Sequence, residues 1–349
     1  MPLLRRRRRP GALAQRAIHP GRRFGRGPRS PKLTGAPATA AGIDIGGTGL
    51  KIGLVRLDDG ATNGPVTVLR DHATADPGRV IAQIALAIRE RVDAAGLRIE
   101  ELAGLGIGCA GLVDGARGIL RTSPNLPSWH DVPIRDELAA RLPVRVRLIN
   151  DASAFLAAEW LAGAARGVDD ALVLTLGTGV GGGLILGGRP YRGPTGQGGE
   201  LGHMTIDHDG PACPCGNRGC LERFVAQGAI EQLAVDMGLA AEGADNPKRV
   251  FERAEAGDQR ARDLYAEIGR RLGAGLAGLV NLLEPRLIVL GGGIAGAHAW
   301  IVPAAGQALM ERSMVARQHP VPIRPAHFGS EAGIVGAALV AGRDDTRFG

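Results

Sequence analysis

Between Glu200 and Glu222 the chain sets out His203, Cys213, Cys215 and Cys220, with a carboxylate at each end. The spacing His-x9-Cys-x-Cys-x4-Cys offers one imidazole and three thiolates, the donor set that closes a tetrahedral structural zinc site. A disulfide framework would require an oxidising compartment, and the chain shows no secretory signal pattern. His208 competes for the fourth position, less well because it stands only five residues before Cys213. Cys109 is left over and reads as a buried thiol. A metal that staples a loop names no function. It would, however, fix Glu200 and Glu222 in place.

A second set of reactive residues is Asn150-Asp151. The apolar run Val146–Ile149 reads as a strand, and the residues from Ala154 to Trp160 read as a helix. Polar residues at the carboxyl end of a strand sit where open α/β sheets bind ligands. The same position favours helix capping, so one of the pair caps while the other faces a cleft.

Two glycine turns supply the third set. Ile43-Asp44-Ile45-Gly46-Gly47-Thr48-Gly49-Leu50-Lys51 is strand, tight turn, strand, and a unit of similar design returns 131 residues later around Gly177-Thr178-Gly179. Such turns expose backbone N–H groups and cradle anions. Two of them, each opening a stretch of more than 100 residues, imply a duplicated α/β domain whose halves hold one polyphosphate from both sides. Other nucleotide motifs fail. There is no Gly-x4-Gly-Lys-Ser/Thr, and Gly106-x-Gly108-x-x-Gly111 runs into a turn and a proline-rich loop where a dinucleotide motif needs a helix.

Composition bounds the rest. At 349 residues the chain should hold about two domains. Hydrophobic residues make up 44% and aromatics 3%, so aliphatic packing must dominate. No apolar run reaches the roughly 18–20 residues of a membrane span, which implies a soluble, cytoplasmic protein with no membrane partner. The net charge of +7 is concentrated at one end: residues 1–40 carry ten arginines and Lys32 without an acid, while the remainder carries 31 basic and 35 acidic side chains. The first 40 residues read as a disordered basic extension, and the body has no basic patch that argues for specific nucleic-acid binding.

Taken in order, Asp44 to Lys51, Pro124-Asn125-Leu126-Pro127, Asn150-Asp151, Gly177–Gly179, Glu200-x-Gly-His203, the cysteines ending in Glu222, and Gly291-Gly292-Gly293 resemble the ROK family of repressors and sugar kinases. The resemblance covers residues 41 to about 342. It implies an actin-like, hexokinase-type (ribonuclease H-like) fold: a small lobe over 41–149 completed by a C-terminal helix at about 331–349, a large lobe over 150–330, and a central cleft. It also implies ATP, Mg²⁺ and a hexose, usually in a homodimer. ROK repressors carry a winged helix-turn-helix ahead of the sugar lobe, and residues 1–40 contain no amphipathic helix pair. A polyphosphate-using branch resembles the chain less, because it lacks the cysteine cluster.

On this resemblance Asp151 is the general base for the sugar hydroxyl, and Asn125, Asn150, Glu200, His203 and Glu222 bond the other hydroxyls. His203 can bind zinc through one ring nitrogen and face the sugar with the other. Asp44 orients Mg²⁺, while Gly46, Gly47, Thr48, Lys51 and Gly177–Gly179 hold phosphates. Gly291–Gly293, after the strand Leu287–Leu290, let the nucleotide lie against bare backbone. Unsubstituted hydroxyls suit the acidic wall best, which points to D-glucose over N-acetylhexosamines.

Overall fold

The computed structural model describes residues 38–46, 49–70, 72, 74–194, 196–239 and 247–348; most of the basic extension, and Gly47 and Thr48 of the first turn, lie outside them. Strand β1 (Thr39–Ile45) takes in the last two residues of the segment read as an extension, Thr39 and Ala40, and Ala40 is fully buried. It folds back into β2 (Leu50–Arg56), which pairs with β3 (Thr67–Leu69). Helix α1 (Pro77–Ala94) starts where the Asp76 side chain accepts the Arg79 N–H and proline occupies the first turn. Val80, Ile81, Ile84, Ile88 and Val92 recur at helical spacing and bury one face. Next come β4 (Leu105–Cys109), the hairpin β5 (Leu112–Asp114) and β6 (Ile119–Thr122), helix α2 (Ile134–Ala139) and β7 (Val146–Asn150). No helix follows β4 directly, so Gly106-x-Gly108-x-x-Gly111 is not a dinucleotide motif.

Helix α3 (Asp151–Leu161) leads into the second half: β8 (Ala171–Leu176), β9 (Val180–Leu186), β10 (Arg189–Tyr191), α4 (Glu222–Val225), α5 (Gln227–Asp236), α6 (Pro247–Glu255), α7 (Gln259–Leu283), β11 (Leu287–Gly291), α8 (His298–Arg312), β12 (Ile323–Pro325) and α9 (Ala332–Gly342). The sheets run β3-β2-β1-β4-β7 and β10-β9-β8-β11-β12. In each, three antiparallel strands are extended by two parallel ones, so the two halves share one topology.

Helices α3 and α9 lie between the sheets. Their buried side chains form one core with Ala40 and Val55 of the first sheet and Val173 and Val289 of the second. The sequence of α9, Ala-Gly-Ile-Val-Gly-Ala-Ala-Leu-Val-Ala-Gly, is apolar on every side, as a helix buried all round requires. Its small residues allow backbone contact: a Cβ on Gly106 of β4 would meet the Ala337 carbonyl oxygen at 1.8 Å, and one on Gly336 would meet that of Ala154 at 1.7 Å. The helix ends at Gly342, short of the 349 anticipated, and a 3₁₀ turn over Thr346–Phe348 follows. Among the described residues no helix is long and apolar enough to cross a membrane.

Candidate active site

The carboxyl ends of β1, β7, β8 and β11 open on one cleft of about 910 Å³, lined from both halves of the duplicated fold. Asp44, Lys51, Asn125, Asn150, Asp151, Gly177, Thr178, Gly179, Glu200, His203, Glu222, Gly292 and Gly293 all line it. Gly46 and Gly291 do not. Gly46 accepts His72 Nε2 on its carbonyl at 2.7 Å, and Gly291 is buried where a Cβ would strike the Phe155 ring at 2.3 Å. Both glycines shape the loops behind the wall.

Asp151 opens α3, directly after strand β7. Its neighbour does the capping: Asn150 Oδ1 accepts the Ala152 N–H at 2.9 Å and the Ser153 N–H at 3.3 Å, and Nδ2 donates to the Gly111 carbonyl at 3.2 Å. Asn150 is thus spent on structure except for one amide hydrogen. Asp151 faces the cleft, and burial raises its pKa against the opposing backbone N–H groups of Ala152 and Asp151 and the Asn150 side chain. Across from it, burial lifts Asp44 from 3.8 to about 6, with Lys51 pulling it down and the Asp151 charge pushing it up. Lys51 Nζ donates to the Ser330 carbonyl at 2.7 Å, which ties β2 to the turn that starts α9. Asp44 lies so close to that helix that a Cβ on Gly333 would be 2.6 Å from its carboxyl carbon.

The second glycine turn closes with Gly177 N–H donating to the Gly179 carbonyl at 2.9 Å. Glu222 Oε2 accepts the Val180 N–H at 2.9 Å from the side, leaving its other oxygen for the cleft. Asn125 stands exposed on the loop after β6, where the Ser123 hydroxyl accepts its backbone N–H at 3.3 Å.

Behind Glu200, His203 and Glu222 the cysteines converge. One ligand atom from each of His203, Cys213, Cys215 and Cys220 lies within 4.8 Å of every other. The Cys215–Cys220 sulfurs are 3.7 Å apart, as are Cys213 Sγ and His203 Nδ1. Four ligands bound tetrahedrally at zinc distances put sulfurs about 3.8 Å apart, so the donor set fits such an ion. The thiols alone would not sit easily: burial and the neighbouring sulfurs push Cys220 up to about 12, while the Asn217 N–H lowers Cys215. His208 is exposed and paired with Asp209 at 2.9 Å, whereas His203 stands with the cysteines and presents Nδ1 to Cys213. Cys109 is fully buried at the end of β4, apart from the cluster.

Three residues escaped the sequence reading. Arg192 lines the cleft half-buried, and among the described residues its guanidinium has no partner; burial lowers its pKa. Glu159 of α3 is fully buried and accepts the backbone N–H groups of Ala164, His327 and Phe328, which clamps α3 to the segment before α9. His72 holds the first turn, as described. None belongs to a motif, and only the fold brings Arg192 to the cleft and Glu159 and His72 to their partners.

A duplicated two-lobe α/β fold with carboxylates and glycine turns facing one cleft defines a hexokinase-type phosphotransferase. Residues 40–344 match the ROK family, and the chain belongs to it. It is 36% identical over 313 residues to a glucokinase of Thermotoga maritima, an alignment spanning 86% of this chain and 96% of that protein. Its structure is similar to a ROK hexokinase from Thermus thermophilus, with TM-score 0.71, 37% identity and coverage of 87% and 97% of the two chains. It is also similar to a ROK family glucokinase from Streptomyces griseus in complex with glucose and AMPPNP, with TM-score 0.71, 31% identity and coverage of 87% and 99%.

Proposed function

We propose that this protein transfers the terminal phosphoryl group of ATP to D-glucose, giving glucose 6-phosphate. The observation that carries the reading is Asp151. It is a half-buried carboxylate at the start of α3, facing a cleft lined by the second glycine turn and by Asp44 and Lys51 beside the first, and its basicity is raised by burial. A carboxylate so placed takes the proton of the 6-hydroxyl as its oxygen bonds to phosphorus and the bond to the leaving ADP oxygen breaks. Glu200, His203 Nε2, the free oxygen of Glu222, Asn125 and the remaining amide hydrogen of Asn150 bond the other sugar hydroxyls. Gly177–Gly179 and the first turn, with Gly47 and Thr48, cradle phosphates through backbone N–H groups. Gly292 and Gly293 lie against the nucleotide, and Arg192, on the cleft wall, brings a positive charge to the transferred group.

Two metals belong to this reading. Asp44 would hold Mg²⁺, which would neutralise phosphate charge in the cleft. Zinc would be held by His203, Cys213, Cys215 and Cys220 in a structural role. The small lobe is taken as residues 41–149 with α9, the large lobe as 150–330, and the working form as a cytoplasmic homodimer. The family resemblance supports these assignments.

A coupled assay over glucose, N-acetylglucosamine, N-acetylmannosamine, fructose and allose, with ATP and polyphosphate as donors, tests the proposal. Glucose with ATP should give the highest catalytic efficiency. A higher value for an N-acetylhexosamine overturns the sugar, and no phosphorylation of any hexose overturns the activity.

A further inference from the structure

We propose that the cysteine loop props the second phosphate turn as well as the sugar wall, with Glu222 as the positioning residue that joins the two substrate sites. The inference rests on the kinase reading and deepens it. Two contacts hold the turn from outside its own hairpin, and both come from the segment directly after Cys220. Glu222 Oε2 accepts the Val180 N–H at 2.9 Å, and the Gln227 N–H donates to the Gly177 carbonyl at 3.0 Å. The carboxylate is packed against the turn itself, since a Cβ on Gly179 would be 2.5 Å from Glu222 Oε2.

That segment is in turn fixed to the metal-ligand loop. Leu221 N–H donates to the Met204 carbonyl at 2.8 Å, one residue after His203, and Thr205 bridges to Cys220 in antiparallel fashion. On the other side Gly202 lies directly on the strand that leaves the turn, where a Cβ would be 2.1 Å from the Val180 carbonyl oxygen. The turn is therefore gripped between His203's neighbour and Cys220's neighbour. Anything that loosens the cysteine loop should loosen the phosphate cradle, with the sugar absent.

The two oxygens of Glu222 then divide the work. One holds Val180, and the other remains for a sugar hydroxyl. A sugar that orders the side chain spares the nucleotide part of the cost of ordering it, so the two ligands should bind with positive coupling.

The test is calorimetric titration of full-length protein with Mg-AMPPNP, without sugar and with saturating glucose, accompanied by hydrogen exchange across residues 177–186. A bond from a backbone N–H to a carboxylate is worth about tenfold in an equilibrium constant. Glu222→Ala should therefore weaken AMPPNP roughly tenfold without sugar and speed exchange of the Val180 amide. Glu222→Gln keeps an acceptor oxygen, so it should restore nucleotide affinity to within about threefold while glucose binding stays impaired. Chelator-treated wild-type protein should show the same faster exchange and weaker nucleotide binding, which covers the case of an alanine variant that does not fold. If wild-type protein binds AMPPNP and neither Glu222→Ala nor metal removal changes that affinity, the positioning role is overturned and the kinase reading stands. If wild-type protein binds no nucleotide, both fall.

Discussion

The two glycine turns occupy equivalent places in equivalent sheets, yet they are equipped differently. At the first, Asp44 pairs across the hairpin with Lys51; at the second, the corresponding pair is Thr175 with Gly181. The first turn thus carries its own charges and places them near Asp151. The second carries none and takes its carboxylate, Glu222, from the first residue of α4, directly after the cysteine loop. Duplication supplied two hairpins of like topology, with four residues between Ile45 and Leu50 in the first and three between Leu176 and Val180 in the second. What distinguishes them is the side chains brought to each: Asp44 and Lys51 on the strands of the first, Glu222 from outside the hairpin at the second. A carboxylate on its own strand is fixed by strand pairing, whereas one delivered by a loop needs that loop held, and the four-donor cluster does so.

The contrast is most exposed at Asp151, on the first turn's side of the cleft. Asp151→Asn keeps the shape and the start of α3, since Asn150 is the cap. Turnover should fall at least about a hundredfold, with the melting temperature and glucose affinity within a small margin of wild type. A variant that melts early but turns over normally in its folded fraction would reduce Asp151 to a structural residue.

The cluster should behave in the opposite way. Cys220→Ser removes one of the four donors at a fully buried position. Structural zinc in small sites contributes of the order of 10 kcal/mol to folding, and in a larger domain only part of that is lost locally. We expect a metal content near zero, a clearly lower melting temperature, and loss of both sugar and nucleotide binding. Elemental analysis with thermal denaturation checks this; a zinc-free wild-type protein of full stability contradicts it.

How much of this was legible in the sequence follows from the same contrast. The glycine turns, the flanking strands, the helix after Asn150-Asp151 and the cysteine spacing are local signals, and each was readable. The apolar strands carry the fold in the same way. What could not be read is whatever depends on residues far apart in the chain. Glu159 meets the backbone at His327 and Phe328, and Lys51 meets Ser330, more than 160 and 270 positions away respectively. Whether Asn150 or Asp151 would cap was undecidable because both side chains suit the position. Gly291 looked like part of a nucleotide loop, and only the packed ring of Phe155 shows that it serves the core.

Asp44 gives a test in which the first turn is active at the expense of stability. Its folded pKa of about 6 exceeds the ordinary 3.8, so the folded protein holds this proton more tightly than the unfolded chain. Its contribution to stability therefore declines as pH rises from 3.8 towards 6, and the full cost, at most about 3 kcal/mol, is present at neutral pH. Asp44→Asn should melt above wild type at pH 7.5, with the gain vanishing as the pH approaches the unfolded value, while activity is lost. The acid limb of kcat/KM in wild type should lie well above the usual carboxylate range. A variant less stable than wild type at pH 7.5 would show that Lys51 and the helix end outweigh burial.

The smallest effect compares the turns directly, by one methyl group on each. At Gly49 an added Cβ meets nothing among the described residues nearer than a Val68 methyl at 3.5 Å, an ordinary contact. At Gly179 it would lie 2.5 Å from Glu222 Oε2, inside any real contact distance, and the carboxylate would have to leave Val180. Gly49→Ala should keep kcat/KM for ATP within about twofold, since removing backbone freedom where space allows costs little. Gly179→Ala should raise KM for ATP about fivefold to tenfold, the worth of one charge-assisted bond, with a smaller rise for glucose through the displaced Glu222. Steady-state kinetics on the two variants decides it. Equal effects would mean that the turns are interchangeable cradles and that Glu222 serves the sugar alone.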